Sequence, residues 1–431
     1  MNAVVPWMLI AFLAWLLVRT WRRQDTTDKW YLPPALILRL AGGLLLGALY
    51  KYHYALGDTL NFYSDSVAVA DLARLDVSGY ITFLWDDASA TRYLQSISSV
   101  QPRAVFMVKV ASIAALVMNG NYWLMASLFS LFGFACSWYF YRVLARLFPA
   151  ARAAAALAVL FFPTVVFWSS GLIKETLALG ALYMLFAFFL DFWNSGRMSW
   201  WKIPACLVAA WMLWQLKYYY LAAAAAPMIT CVLHRFVFSP WLKPKTWLAT
   251  TALWLAVFIV PLVAVSFSRP NFYVERFLHV IVENYAAYEA LSSPGERIEY
   301  SHLEPTWASM LVNAPWALVS AWFRPFVWEA QNALQVLAAI ENTLLALLFT
   351  TAVWRWRRLP PVNAWSVVLV AAFSYVVVLS IFLALSTPNF GTLNRYRTGF
   401  LPVFIYILAL DNKWLKKIHD RMQSSVNRLV P

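Results

Sequence analysis

The chain has 431 residues, of which 62% are hydrophobic and 13% charged, with a mean hydropathy of +0.62. Soluble domains carry roughly 25% charged residues, so an ordinary water-soluble enzyme is excluded. Lys and Arg outnumber Asp and Glu 34 to 20, a net charge of +14; membrane proteins place such an excess in cytoplasmic loops, so no nucleic-acid partner follows from it. A crossing of the ~30 Å hydrocarbon layer takes ~20 apolar residues, which gives room for about ten or eleven helices. The expected fold is all-α, a polytopic transmembrane helical bundle.

In chain order, residues 4–18 form a retained helix: no basic residue precedes it, no small-residue cleavage site follows it, and Arg19, Arg22 and Arg23 place its start outside. Residues 34–50 return the chain to the outer side, and 51–120 form an external loop with structure of its own. Residues 122–141 run inward to Arg142, Arg146 and Arg152, and 153–168 come back out. Residues 176–193 run inward to Arg197 and Lys202, 203–216 emerge at Lys217, and 221–233 re-enter at His234 and Arg235. Residues 247–267 exit after Lys243 and Lys245, and a second external loop covers 268–331. Residues 332–353 descend to the WRWRRL run at 354–359, 365–385 ascend, and 399–410 descend to a basic tail from Lys413. The expectation is about eleven spans in a single integral membrane domain over 1–431, with the C-terminus inside. Two further apolar pieces, 105–118 and 307–322, fit as interfacial helices on the outer face. Cys136, Cys206 and Cys231 lie in apolar stretches without histidine neighbours and read as packing residues. His53, His279 and His302 are isolated and read as surface residues.

Ionisable side chains at membrane depth cost about 2.5 to 3.5 kcal/mol each on the insertion scale, so each asks for a reason. On this topology the unusual ones fall on the outer side. They are Asp58 and Asp65 in GDTLNFYSDS, Lys174 and Glu175 in FWSSGLIKE, Lys217 followed by Tyr218, Arg324 and Glu329 in FRPFVWE, and Asn389, Arg395 and Arg397 in NFGTLNRYR. Scattered along the chain but expected at one depth, they read as a site. Plainer readings stand beside this one: Lys174 and Glu175 snorkelling from a helix end, an interfacial anchor at Lys217 and its tyrosines, and Asp58 as a helix cap. Guanidinium forks suit a phosphate or pyrophosphate while a carboxylate takes a proton from an attacking hydroxyl. A lipid carrier bearing a sugar fits such a site. No cofactor is required, and paired acids are compatible with a divalent cation.

The order of GDTLNFY in the first external loop, an interfacial helix ending near NGNYW, an inward span ending in YRVLARLF, an outward span ending at WSSGLIKE and a late RYR resembles the GT-C superfamily of polytopic glycosyltransferases, over most of residues 34–411. RYR is also similar to the outer-loop arginines of polymerases that join lipid-linked repeat units. FWSSGLIKE and NFGTLNRYR look like motifs of membrane proteins associated with exopolysaccharide synthesis. The resemblance implies a lipid-linked sugar donor, Asp58 as general base with Asp65 as the competing choice, Glu175 as a second acidic residue, and Lys174, Arg395 and Arg397 on the phosphate. Many members carry two acids adjacent or one apart in the first loop, whereas Asp58 is followed by Thr59 and the next acid is Asp65. An extra N-terminal span and the lack of a soluble C-terminal domain favour a small or lipid-linked acceptor.

The expected function is glycosyl transfer at the external face of a bacterial-type inner membrane, from a polyprenyl-phosphate-linked sugar or oligosaccharide to the hydroxyl of a glycan or lipid acceptor. The alternative is a transporter or flippase of a lipid-linked or anionic substrate, which predicts charge near the bilayer midplane and broken helices in an internal repeat.

Overall fold

The computed structural model describes residues 4–24, 26–54, 57–242, 246–355 and 364–429. The Lys243, Lys245 and 356–359 cluster positions used for the topology lie outside these residues. Among the described residues the regular structure is helical, apart from one isolated antiparallel bridge between Arg297 and Asn389.

The first helices are α1 (Val4–Arg22), α2 (Thr26–Leu49), α3 (Asp58–Leu75), α4 (Val77–Trp85), α5 (Thr91–Gln95), α6 (Pro102–Val117) and α7 (Tyr122–Leu147). Then come α8 (Arg152–Ala156), α9 (Pro163–Trp168), α10 (Lys174–Ser195) and α11 (Lys202–Leu233). After these follow α12 (Ser239–Leu242), α13 (Trp247–Ser266), α14 (Val274–Ala290), α15 (Trp307–Phe323) and α16 (Ala333–Arg355). The last are α17 (Ala364–Ser386), α18 (Phe390–Tyr396), α19 (Leu401–Ala409) and α20 (Lys413–Leu429).

Eight helices among the described residues are long and apolar enough to cross a membrane, as in an integral membrane protein. Four of the eleven expected crossings are not separate, continuous helices of that kind. Residues 153–168 are split into α8, a π-helical turn over Leu157–Phe161 and α9, with Pro163 starting α9. Residues 203–216 and 221–233 belong to one helical element, α11, broken by non-helical φ/ψ at Lys217 (φ −146°, ψ 64°). At 1.5 Å per residue the stretch before the break, 202–216, is about 22 Å long, short of the ~30 Å layer, whereas the helical run after it continues through Leu242. The last expected crossing is α19, nine residues preceded by the separate turn of α18. Hydropathy in the sequence registers apolar length; it does not register where the backbone breaks.

The chain divides into two compact units, one of Met1–Asp191, Met198–Tyr218 and Lys413–Pro431, the other of Phe192–Arg197 and Tyr219–Asn412. In the first unit α2 lies on α7 and α9, and α3 on α6. Small residues allow these close approaches. A Cβ on Gly43 would lie 2.8 Å from the Gly171 nitrogen, and one on Gly47 2.5 Å from the Tyr122 ring. The expected interfacial helix 105–118 corresponds to α6, whose Val105, Met107, Val108, Ala111 and Ala115 are buried, so much of its surface faces protein. At one end of this unit Asp28 is 1% exposed and accepts from the Tyr141 hydroxyl at 2.6 Å, with Arg142 at 3.3 Å and Arg152 at 4.0 Å. Asp191 pairs with Arg146 and Lys202. The arginines that report orientation in the sequence thus also have carboxylate partners.

In the second unit α17 packs against α13, α14, α15 and α19, and α16 against α15 and α19. The second expected interfacial helix, 307–322, is α15; it buries Met310, Asn313, Ala317, Ser320, Ala321 and Trp322, and the Trp322 indole N–H donates to Ser380 Oγ at 2.9 Å.

Candidate functional site

In the first unit, Gly57 is the N-cap of α3 at φ +139°, and Asp58 is the first helical residue. A Cβ at Gly57 would come 2.4 Å from the Tyr50 ring, so conformation and space both demand glycine before the aspartate. Asp58 is therefore not the cap; as a carboxylate in the first turn it meets the positive end of the helix dipole. Asp65, two turns along the same helix, is buried, and each of its oxygens accepts one bond from Ser98, from the backbone N–H at 3.0 Å and from the hydroxyl at 2.9 Å. This makes Asp65 an anchor for the turn before α6.

Lys174 and Glu175 open α10 and go separate ways. Lys174 Nζ lies 5.0 Å from the centre of the Phe62 ring on α3, so it reaches the helix that Asp58 begins. Glu175 is 1% exposed and pairs with Lys217, 3% exposed, at 3.0 Å. A pair this deep is costly to desolvate and costlier to break. Lys217 is also the residue where α11 breaks, so charge and broken backbone coincide. Tyr218, next to it, receives the Arg103 guanidinium at 5.8 Å from its ring centre.

The rest of FWSSGLIKE has a packing role. Arg39 of α2, 2% exposed, donates to the Ser169 carbonyl at 2.9 Å, to the Ser169 hydroxyl and to Ser137 Oγ at 2.7 Å. Ser130 Oγ accepts the Gly171 N–H at 2.9 Å, and Gly171 takes φ +76° against Gly43.

In the second unit, FRPFVWE folds back on itself. Arg324 Nε donates to both Glu329 oxygens at 2.9 and 3.0 Å, and Glu329 also accepts the Phe326 N–H at 2.8 Å. The Arg324 guanidinium lies over Trp316 and Phe390, 5.0 and 4.8 Å from their ring centres. Asn389 caps α18 by accepting the Thr392 N–H at 3.0 Å and donates to Ser292 Oγ at 3.0 Å. Around it, the Ile298 N–H donates to the Pro388 carbonyl and the Phe390 N–H to the Glu296 carbonyl, which holds Arg297 beside Asn389.

These contacts shape an open cavity of about 600 Å³ lined by Arg297, Glu299, Trp316, Arg324, Trp328 and Glu329 among others. Arg297 pairs with Glu289 at 3.2 Å and Glu299 at 3.8 Å. The wall therefore carries two guanidiniums and two carboxylates, already paired, beside two indoles. Burial pushes the Tyr300 phenol up despite the opposing charge of Arg324, so it stays neutral. A second cavity in this unit, about 310 Å³, is apolar and is lined by Tyr219, Pro227, Phe258, Phe277, Leu379 and Phe382 among others.

Arg395 lies over the Tyr396 ring at 5.1 Å. Arg397 is 1% exposed, and its nearest carboxylate is Glu341 of α16, at 3.6 Å. Arg355, at the end of α16, donates to the Leu408 carbonyl at 2.7 Å. Arg397, at the break between α18 and α19, and α19 after it therefore lie along α16. Tyr220 donates to the Tyr396 carbonyl and Tyr375 to the Gly399 carbonyl, the latter at 2.6 Å, and these fix that break.

The expected residues thus form two groups, Asp58, Asp65, Lys174, Glu175, Lys217 and Tyr218 in the first unit and Arg324, Glu329, Asn389, Arg395 and Arg397 in the second. Sequence reasoning missed Arg103, Arg297, Glu299 and Glu341. Glu341 had a signal, a lone carboxylate inside a 23-residue apolar span; Arg297 had none, because its place comes from the bridge to Asn389. Among the described residues no group of three or more His, Cys, Asp or Glu is placed to hold a metal ion. Comparison with family models, curated proteins and solved structures yields no match to this chain.

Proposed function

We propose that this chain is a membrane glycosyltransferase that moves a sugar or oligosaccharide from a polyprenyl-phosphate carrier to an acceptor hydroxyl, at the external face of a bacterial-type inner membrane, in cell-surface polysaccharide or glycolipid synthesis. The observation that carries this reading is the 600 Å³ cavity of the second unit. Its paired Arg and Glu side chains give a wall that donates and accepts hydrogen bonds while its formal charges balance, and its indoles offer flat apolar faces. A polyhydroxylated ring with polar edges and apolar faces suits such a wall. The apolar cavity of the same unit is of a kind that accepts an isoprenoid tail. The resemblance of GDTLNFY, WSSGLIKE and RYR to GT-C enzymes points to the same chemistry.

The reaction needs a base and an anion site. Asp58, in the first turn of α3, takes the base role that the resemblance implies for an acid of the first external loop. It removes the proton of the acceptor hydroxyl as the oxygen attacks the anomeric carbon; the bond from that carbon to the phosphate oxygen breaks, and the phosphate leaves with the electron pair. Lys174 is assigned to that phosphate in the first unit, where it reaches the helix that Asp58 begins. Electrostatic stabilisation of a leaving anion is worth about 3 to 4 kcal/mol per preorganised donor. In purified protein given a lipid-linked donor, Asp58→Asn should lower transfer by about 10²- to 10⁴-fold without changing thermal stability. Full activity in that variant would remove Asp58 from the mechanism.

A second reading, a transporter or flippase of a lipid-linked or anionic substrate, is favoured by one observation: Lys217 and Arg397 both sit where a helix breaks and both pair with a buried or nearly buried glutamate. Broken helices carrying charge are how transporters build sites at membrane depth. Proteoliposomes separate the two readings: translocation of the carrier lipid with no new glycosidic bond supports transport, and bond formation supports transfer.

A further inference from the structure

We infer that α20 is a surface helix that binds the anionic headgroups of the membrane it lies against. The helix is docked at one end of a membrane span. His419 Nδ1 and the Tyr31 hydroxyl of α2 are 2.7 Å apart with their rings stacked at 6.0 Å, and α20 touches both α2 and α8. Tyr31 lies three residues inside the span Asp28–Tyr54, so the docked helix sits at interface depth.

A step of 100° per residue then sorts the remaining side chains. Leu415 and His419 are half-buried on the docked face. Trp414 and Ile418, 74% and 39% exposed, lie together on one flank. Lys413, Lys416, Lys417 and Arg421 are exposed on the opposite arc, with Asp420 as the one acid among them. An apolar flank beside a basic arc, on a helix held at the end of a span, is the layout of an interfacial helix that sinks an indole among acyl chains and reaches phosphates with lysines. The charge complement of that arc is an anionic lipid surface, where each basic residue adds attraction within a Debye length.

The test is hydrogen exchange over residues 413–421 in the full chain, in nanodiscs of phosphatidylcholine alone or mixed with phosphatidylglycerol. Exchange should slow on the order of tenfold with the anionic lipid, and the difference should vanish at about 1 M salt, where the screening length is about 3 Å. It should also vanish in the variant K413Q/K416Q/K417Q/R421Q, with α10 exchange unchanged as the control on folding. Equal exchange in the two lipids, or a lipid effect that survives the four substitutions, would overturn the inference, and neither outcome depends on transfer activity.

Discussion

At the scale of single residues, Glu175 and Lys217 form a deeply buried ion pair in the first unit. Both are almost fully buried and 3.0 Å apart, so removing one leaves the other without its counter-ion in a medium that hydrates it poorly. Glu175→Gln should cost about 3 to 5 kcal/mol, whereas the double variant Glu175→Leu with Lys217→Met should recover most of that loss. Thermal unfolding in detergent reads both, and a Glu175→Gln protein as stable as the wild type would show that the pair contributes nothing. The sequence singled out both residues but gave them different roles, Glu175 as a second acidic residue and Lys217 as a substrate-binding residue or, on the plainer reading, an interfacial anchor. Their pairing depends on α10 and α11 lying side by side, which no local pattern encodes. Asp65 shows the same limit, since its neighbour Ser98 is 33 residues away.

Elements show the second limit. Helices with uniform apolar character, such as α7, α10, α13, α16 and α17, were legible because a run of ~20 apolar residues has few other places to go than a lipid bilayer. Breaks inside apolar runs were not, because Lys217 and Arg397 are stable there through partners from other helices, Glu175 and Glu341. The C-terminal helix offers a pH test of element docking. Burial pushes the His419 imidazole below its ordinary value, Arg152 of α8 adds to that, and Asp420 and Asp28 oppose it. A lowered value in the docked state means that undocked His419 binds protons more readily. Docking is therefore fully supported above about 6.5, and this support is lost as pH falls through the lower docked value. In detergent without anionic lipid, exchange at 413–421, corrected for intrinsic rate, should rise on acidification through that window. His419→Gln should abolish the dependence. An unchanged profile in the variant would assign it to another group.

For the whole molecule, the question is sidedness. The positive-inside rule predicts Arg197 and Lys416 on the cytoplasmic face and the region of Asp58 and Trp328 outside. Single cysteines at 58 and 328 should react with a membrane-impermeant maleimide added to intact cells, and cysteines at 197 and 416 only after permeabilisation. Protection of 58 or 328 in intact cells, with labelling after lysis, would place those residues inside and reverse the proposed face of the reaction. The two compact units are each internally built around long helices, the first on α2 and α7 and the second on α17. The sequence showed no linker between them: the chain passes from one to the other within α10 and α11 and at the short non-helical stretches 196–201 and 410–412.

The sequence by itself determined that this is a helical membrane protein, where most of its long helices lie, and which short motifs carry charge in apolar surroundings. Those properties are local: hydropathy summed over one helix and charge counted at its ends decide them. Tertiary structure alone decided which charges neutralise each other, that Asp65 anchors a turn while Asp58 heads a helix, and that Arg297, Arg324 and two tryptophans line one cavity. These depend on contacts between residues far apart in the chain, and a buried charge takes its chemical character from the partner that the fold brings to it.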